Sequence, residues 1–243
     1  MSLIRFILIV LLQLIAILAA SNSVRASTVV IWPVDPVLKP GEQATGLWLE
    51  NKGDKPVTLQ VRSFDWSQVN GEDRLVPQND IVASPPIATV EPGKRQLVRI
   101  YRRVVAQPGG PTEKSYRLIV DELPQLPHVD QQGGTSAGLA VQMRYSIPLF
   151  AYTLDTSDKA PHLVPTYRAS GAERVVEIRN AGTVHARLTD VRMLLGGQEQ
   201  LIKAGLAGYV LPGATLRLSL PDNAPGTVRV GVNGQDVTLT PAI

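Results

Sequence analysis

Along most of the chain apolar residues alternate with polar or small ones, the period of two that marks half-buried strands. Such runs lie at residues 28–34, 44–51, 57–66, 81–90, 96–103, 115–123 and 139–153, separated by turn-rich pieces such as Lys39-Pro40-Gly41 and Glu91-Pro92-Gly93. A second set follows at 163–167, 174–179, 186–195, 198–203, 215–220, 227–232 and 236–239. No helix-period run of useful length intervenes. The polar segment 155–161 breaks the alternation, so spacing predicts an all-β chain of two consecutive immunoglobulin-like β-sandwich domains, residues 27–154 and 155–243. Strand order is left open by this reasoning.

The most informative alternation is 137–150, where Leu139, Val141 and Met143 share one face. A Gly-rich stretch, 131–138, precedes it. A long strand that begins beside a flexible loop is exposed to pairing with another chain. One reason to keep such an edge is to capture a strand from a partner.

The N-terminus sets the expected compartment. Arg5 is followed by an apolar stretch, 6–20, interrupted only by Gln13, and Val24-Arg25-Ala26 fits signal-peptidase cleavage. The stretch is short for a membrane-spanning helix, which needs about 20 apolar residues. Residues 1–26 therefore read as a cleaved signal peptide, with mature protein from Ser27 and no membrane insertion after cleavage. Cys is absent, which excludes a lipidated N-terminal cysteine and a disulfide framework. The formal charge of +3 loses Arg5 and Arg25 with the signal and falls to +1. The pairs Lys94-Arg95 and Arg102-Arg103 are too small for a nucleic-acid groove.

Enzyme chemistry finds little support. No G-x-S-x-G elbow is present, and His128, His162 and His185 stand alone, so they read as loop or surface histidines. No two of them lie at metal-ligand spacing, and no metal or other cofactor is expected. Gly133-Gly134 leads into a strand with no Lys-Ser or Lys-Thr after it, which is not a phosphate loop. The acidic residues are scattered, so no hydrolytic carboxylate pair can be chosen.

Several motifs together carry a resemblance. They are Ser84-Pro85-Pro86-Ile87, Glu91-Pro92-Gly93 and Leu97-Val98-Arg99-Ile100, with Asn51 closing a strand and Trp66 before the 68–75 hairpin. Glu113, Tyr116-Arg117-Leu118, Leu123-Pro124, Ser146-Ile147-Pro148-Leu149-Phe150 and, in the second half, Tyr209-Val210-Leu211-Pro212-Gly213 add to them. Over residues 27–243 the chain resembles the periplasmic pilus-assembly chaperones of the chaperone/usher pathway, the PapD-like superfamily. Its Trp-Ser-Gln and Tyr-Arg-Leu phrasing looks most like the divergent, archaic type.

The resemblance implies an ATP-independent periplasmic chaperone that lends a strand to incomplete pilus subunits and passes them to an outer-membrane usher. Leu139, Val141 and Met143 match the donated residues by position, whereas ordinary burial preference alone would put them in the chain's own core. Ile147 and Leu149 are expected to be internal. The family fixes the subunit's terminal carboxylate with a first-strand Arg and a last-strand Lys. This chain departs at both, with Pro33-Val34-Asp35-Pro36 at one place and Pro148 at the other. Arg144 is the first substitute and Arg117 the second, because a carboxylate needs a basic partner. Tyr152 stands where the family has its interdomain salt-bridge arginine. The rival reading is a structural or adhesive pilus subunit, which would be a single incomplete sandwich with an N-terminal donor extension.

Overall fold

The computed structural model describes residues 29–103, 109–124, 141–153, 156, 159–170, 173–195, 198–220 and 227–239. Every regular element among them is a strand. The first sandwich is built from β1 (Val29–Trp32), β2 (Val37–Leu38), β3 (Ala44–Asn51), β4 (Val57–Val69), β5 (Glu72–Pro77), β6 (Ile81–Ser84), β7 (Ile87–Val90), β8 (Arg95–Arg102), β9 (Glu113–Glu122) and β10 (Arg144–Tyr152). One sheet runs β1-β3-β8-β6; the facing sheet runs β2-β10-β9-β4-β5, with β7 also pairing β4. The second sandwich comprises β11 (Leu163–Ser170), β12 (Glu173–Asn180), β13 (Ala186–Leu195), β14 (Gln198–Val210), β15 (Thr215–Ser219), β16 (Thr227–Val232) and β17 (Gln235–Leu239). Its sheets run β11-β12-β15 and β14-β13-β16-β17. The fold class is the expected one.

Alternation explains the first core. Leu47 and Leu49 of β3, Leu59 and Val61 of β4, Val98 and Ile100 of β8 and Leu118 and Val120 of β9 all point between the sheets and are buried. Fully burying a side chain of this size contributes roughly 1.5–3 kcal/mol. Ile147 and Leu149 join the same core, as expected from the sequence.

One predicted strand is split and another is cut short, and proline chemistry gives the reason. Residues 81–90 form β6 and β7 in different sheets: β6 pairs β8 while β7 pairs β4. Pro85 and Pro86 have no N–H for a ladder, so the chain leaves one sheet there. It enters the other as the Pro86 carbonyl accepts from the Val61 N–H at 2.8 Å. Residues 28–34 likewise give only β1, and the chain crosses at Pro33 and Pro36 to reach β2, which pairs β10 in parallel. The expected strand 139–153 begins at Arg144; residues 141–143 lie before it, and Leu139 lies outside the described residues. β14 extends seven positions beyond the expected 203, to Val210.

A corner is repeated in the two sandwiches. Buried Asn51 donates its amide to the carbonyls of Lys55 and Val90 and accepts from the Gly53 N–H. Buried Asn180 does the same with Val184, Val210 and Gly182. The backbone carbonyl of each asparagine also receives the N–H of a Pro-Gly turn, Gly93 or Gly213, whose φ values of 67° and 77° suit glycine. Satisfying every polar atom of a buried amide makes this corner rigid rather than costly.

Candidate functional site

β10 is paired along its whole length on one side only. It meets β9 along its whole length, from Arg144 opposite Asp121 to Tyr152 opposite Glu113. On the other side only Phe150 and Ala151 meet β2. Among the described residues no strand covers that side of 144–149. The chain still follows β9 before the strand starts, since the Met143 carbonyl accepts from the Glu122 N–H at 2.9 Å. There Val141 is 61% and Met143 42% exposed. Open backbone groups beside exposed apolar side chains form a template for strand addition.

The pleat sends alternate β10 residues to opposite faces. Tyr145, Ile147, Leu149 and Ala151 enter the core of the first sandwich. Arg144, Pro148, Phe150 and Tyr152 point outward with Asp121, Arg117, Ser115 and Glu113 of β9. At the open end Arg144 Nε meets Asp121 at 2.5 Å, and Arg62 Nη2 meets the other oxygen of the same carboxylate at 2.6 Å. Partial burial alone would raise the Asp121 pKa, but hydrogen bonds from Arg144 and Arg62 outweigh it and hold the carboxyl below its usual range.

Arg117 stands directly opposite Pro148 on this face. Its guanidinium stacks over Trp66 at 3.6 Å and lies 5.4 Å from the Tyr209 ring. Only 12% of the side chain is exposed. Burial pulls its pKa below the usual arginine range, against the opposing pull of Asp73 and Tyr209. Asp73 of β5 reaches it at 3.4 Å. The Trp66 indole N–H beneath is buried and has no acceptor.

The second sandwich docks against the same face. Trp66 and Phe150 belong to the second domain's apolar cluster, with Tyr209, Leu211 and Leu188. Phe150 stacks on His185 with centroids 3.4 Å apart and planes 4° from parallel. The fully buried Glu113 carboxylate accepts from the His185 backbone N–H at 3.1 Å and lies 2.7 Å from Nδ1. With the carboxylate accepting, Nδ1 is the protonated ring nitrogen. Burial, then the neighbouring Glu113, raises the Tyr152 pKa, and its side chain hydrogen-bonds that carboxylate. A second tie comes from the β4–β5 hairpin, where Gln68 donates to the Tyr209 carbonyl and accepts from the Leu211 N–H.

The face thus gathers Arg117 and Arg144, while Val141 and Met143 precede β10 and Leu139 lies outside the described residues. Counting along a strand at about 3.3 Å per residue, Arg144 stands roughly four positions from Pro148, whereas Arg117 is its cross-strand neighbour. His185 lies in the loop between β12 and β13, as expected, but it does not stand alone. It is part of the domain junction, because Phe150 stacks on it and Glu113 bonds it. His162 is exposed, and His128 lies outside the described residues. Sequence reasoning also missed Asp73 and Asp121, whose spacing along the chain says nothing of the bases they face. Among the described residues no group of three or more His, Asp or Glu side chains could hold a metal ion.

Comparisons with known proteins bear on this geometry. Residues 28–152 match the family model described as pili and flagellar-assembly chaperone, PapD N-terminal domain. The fold is similar to the archaic chaperone-usher Csu pilus chaperone of Acinetobacter baumannii, solved in a pre-assembly complex with a tip adhesion subunit. That match has a TM-score of 0.70 and 28% identity, and covers 89% of this chain and 100% of that one. The SafB chaperone with SafA pilin from Salmonella enterica matches at TM-score 0.62 and 15% identity over 89% and 97% of the two chains. The E. coli chaperone DraB matches at 0.61 and 16% over 88% and 96%. No curated protein matches the chain by sequence.

Proposed function

The chain belongs to the pili and flagellar-assembly chaperones, and from that membership we propose that it is a periplasmic chaperone that stabilises pilus subunits by donor-strand complementation and delivers them to an outer-membrane usher. The observation that carries the proposal is the unpaired side of β10 at 144–149, approached by exposed Val141 and Met143. A subunit lacking its last strand would pair with that edge at roughly 0.5–1.5 kcal/mol net per hydrogen bond. Leu139, Val141 and Met143 would fill its groove, each worth roughly 1.5–3 kcal/mol when fully buried. The side chains thus contribute on the same scale as the backbone pairing, and they select which groove fits.

Arg117 and Arg144 are the proposed bases for the subunit's terminal carboxylate. Register supports Arg117 first: it stands beside Pro148, the position of the family's last-strand base, and restores a cation there from the adjoining strand. Stacking leaves its N–H edge for bidentate carboxylate binding. Arg144 is further out, on Asp121. Residues 1–26 are the proposed signal peptide, 27–154 the subunit-binding domain and 155–243 the second. A periplasmic extract should yield tagged protein beginning at Ser27 in a one-to-one complex with a co-expressed subunit. Recovery of the chain at the cell surface, with no subunit bound, would favour a pilus structural protein instead.

A further inference from the structure

Both bases proposed for carboxylate capture already hold a carboxylate of this chain, and they hold it differently. Asp121 is gripped by two guanidinium groups at 2.5 and 2.6 Å. Asp73 meets Arg117 through one contact at 3.4 Å, against the ~2.7–2.9 Å of a strong charge-assisted bond. Its side chain is 45% exposed, and all six residues of β5 are exposed. Asp73 can therefore move without disturbing a core.

We propose that Asp73 is a placeholder that occupies the carboxylate-binding edge of Arg117 in the free chaperone and gives way to the subunit's terminal carboxylate. The inference rests on Arg117 as anchor. A guanidinium stacked on Trp66 is largely desolvated, and leaving it without an anion would be costly. Asp73 supplies that anion while no subunit is bound. When displaced it keeps a partner, since Gln68 Nε2 donates to its other oxygen at 3.0 Å. Gln68 is fixed in turn by the Tyr209 carbonyl and Leu211 N–H of the second domain, so the side chain that would receive the released Asp73 is rigidly placed. The exchange makes capture selective, because only a ligand that pairs better than one long hydrogen bond gains by entering.

Sodium acetate is the probe, titrated into full-length mature 15N-labelled protein at ionic strength held constant with sodium chloride. The Arg117 Nε–H resonance, assigned with Arg117→Gln, reports binding. Asp73→Asn, which keeps the shape and removes the charge, should bind acetate roughly two- to five-fold more tightly than the wild type at that resonance, the range of a half-exposed ion pair. Equal affinity in both proteins overturns the placeholder while leaving Arg117 as a carboxylate site. No acetate response at Arg117 in either protein removes the anchor and the placeholder together.

Discussion

Arginine rather than lysine at 117 follows from the ring beneath it. A planar guanidinium can lie on an indole and still present N–H groups along its edge, whereas an ammonium cannot do both. Arg117→Lys should therefore weaken subunit capture although the charge is kept, and Arg117→Ala should cost roughly 2–5 kcal/mol of binding, as for truncation of one partner of a buried charge pair. Co-purified subunit measures the capture and thermal melting checks the fold; equal capture by all three proteins would move the anchor to Arg144. Asp121 makes a separate prediction about acid. Its pKa is held below the unfolded value, so its ion pairs stabilise the fold fully above the unfolded value of about 4. That contribution disappears as pH falls through the lower folded value. With Arg62 and Arg144 both well exposed, each pair is worth only about 0.2–1 kcal/mol. Asp121→Asn should thus lower the melting temperature slightly at pH 7, and the difference from the wild type should shrink as pH falls through the lowered folded value.

At the scale of elements, the test of strand donation is to replace Leu139, Val141 and Met143 together by Ser. The exposure of Val141 and Met143 predicts that the free protein keeps its melting temperature. Subunit protected from periplasmic proteolysis should fall sharply, as several kcal/mol of apolar burial are removed from the complex. A destabilised variant would instead place these residues in the chain's own core, where each such change costs roughly 2–5 kcal/mol. Strands with clean alternation were legible in the sequence because burial on one face writes the period directly: β3 and β16 have the expected limits. The end of β1 at Pro33 and the split at Pro85 were not. Alternation continues across a strand that changes sheets, and only the pairing partner reveals the change. The site was half legible. Arg117, Trp66, Glu113 and Tyr209 stood inside motifs, but Asp73 and Asn180 are ordinary polar residues until the register brings them to their partners.

For the whole molecule the question is what holds two sandwiches at one angle when Tyr152 replaces the arginine expected at the junction. The structure answers with a buried carboxylate that binds across the boundary. Glu113 accepts from Tyr152 of its own domain and from the backbone and ring of His185 in the other, and Phe150 lies flat on that ring. The two side chains share one of these hydrogen bonds, so their removal should be non-additive. A double-mutant cycle of Glu113→Ala and His185→Ala should give a coupling of about 0.5–3 kcal/mol in chemical denaturation. The hairpin tie through Gln68 is the competing fastener, being a pair of hydrogen bonds to backbone at about 1 kcal/mol each. Small-angle scattering separates them. His185→Phe keeps the stack on Phe150 and loses the ring's hydrogen bond, so it should preserve the domain angle better than His185→Ala, which loses both. If Gln68→Ala opens the molecule while His185→Ala does not, the hairpin holds the angle and the Glu113 cluster only fills the junction. Because Arg117 lies between Trp66 of the first domain and Tyr209 of the second, a molecule opened by His185→Ala should also capture subunits poorly without any change to β10.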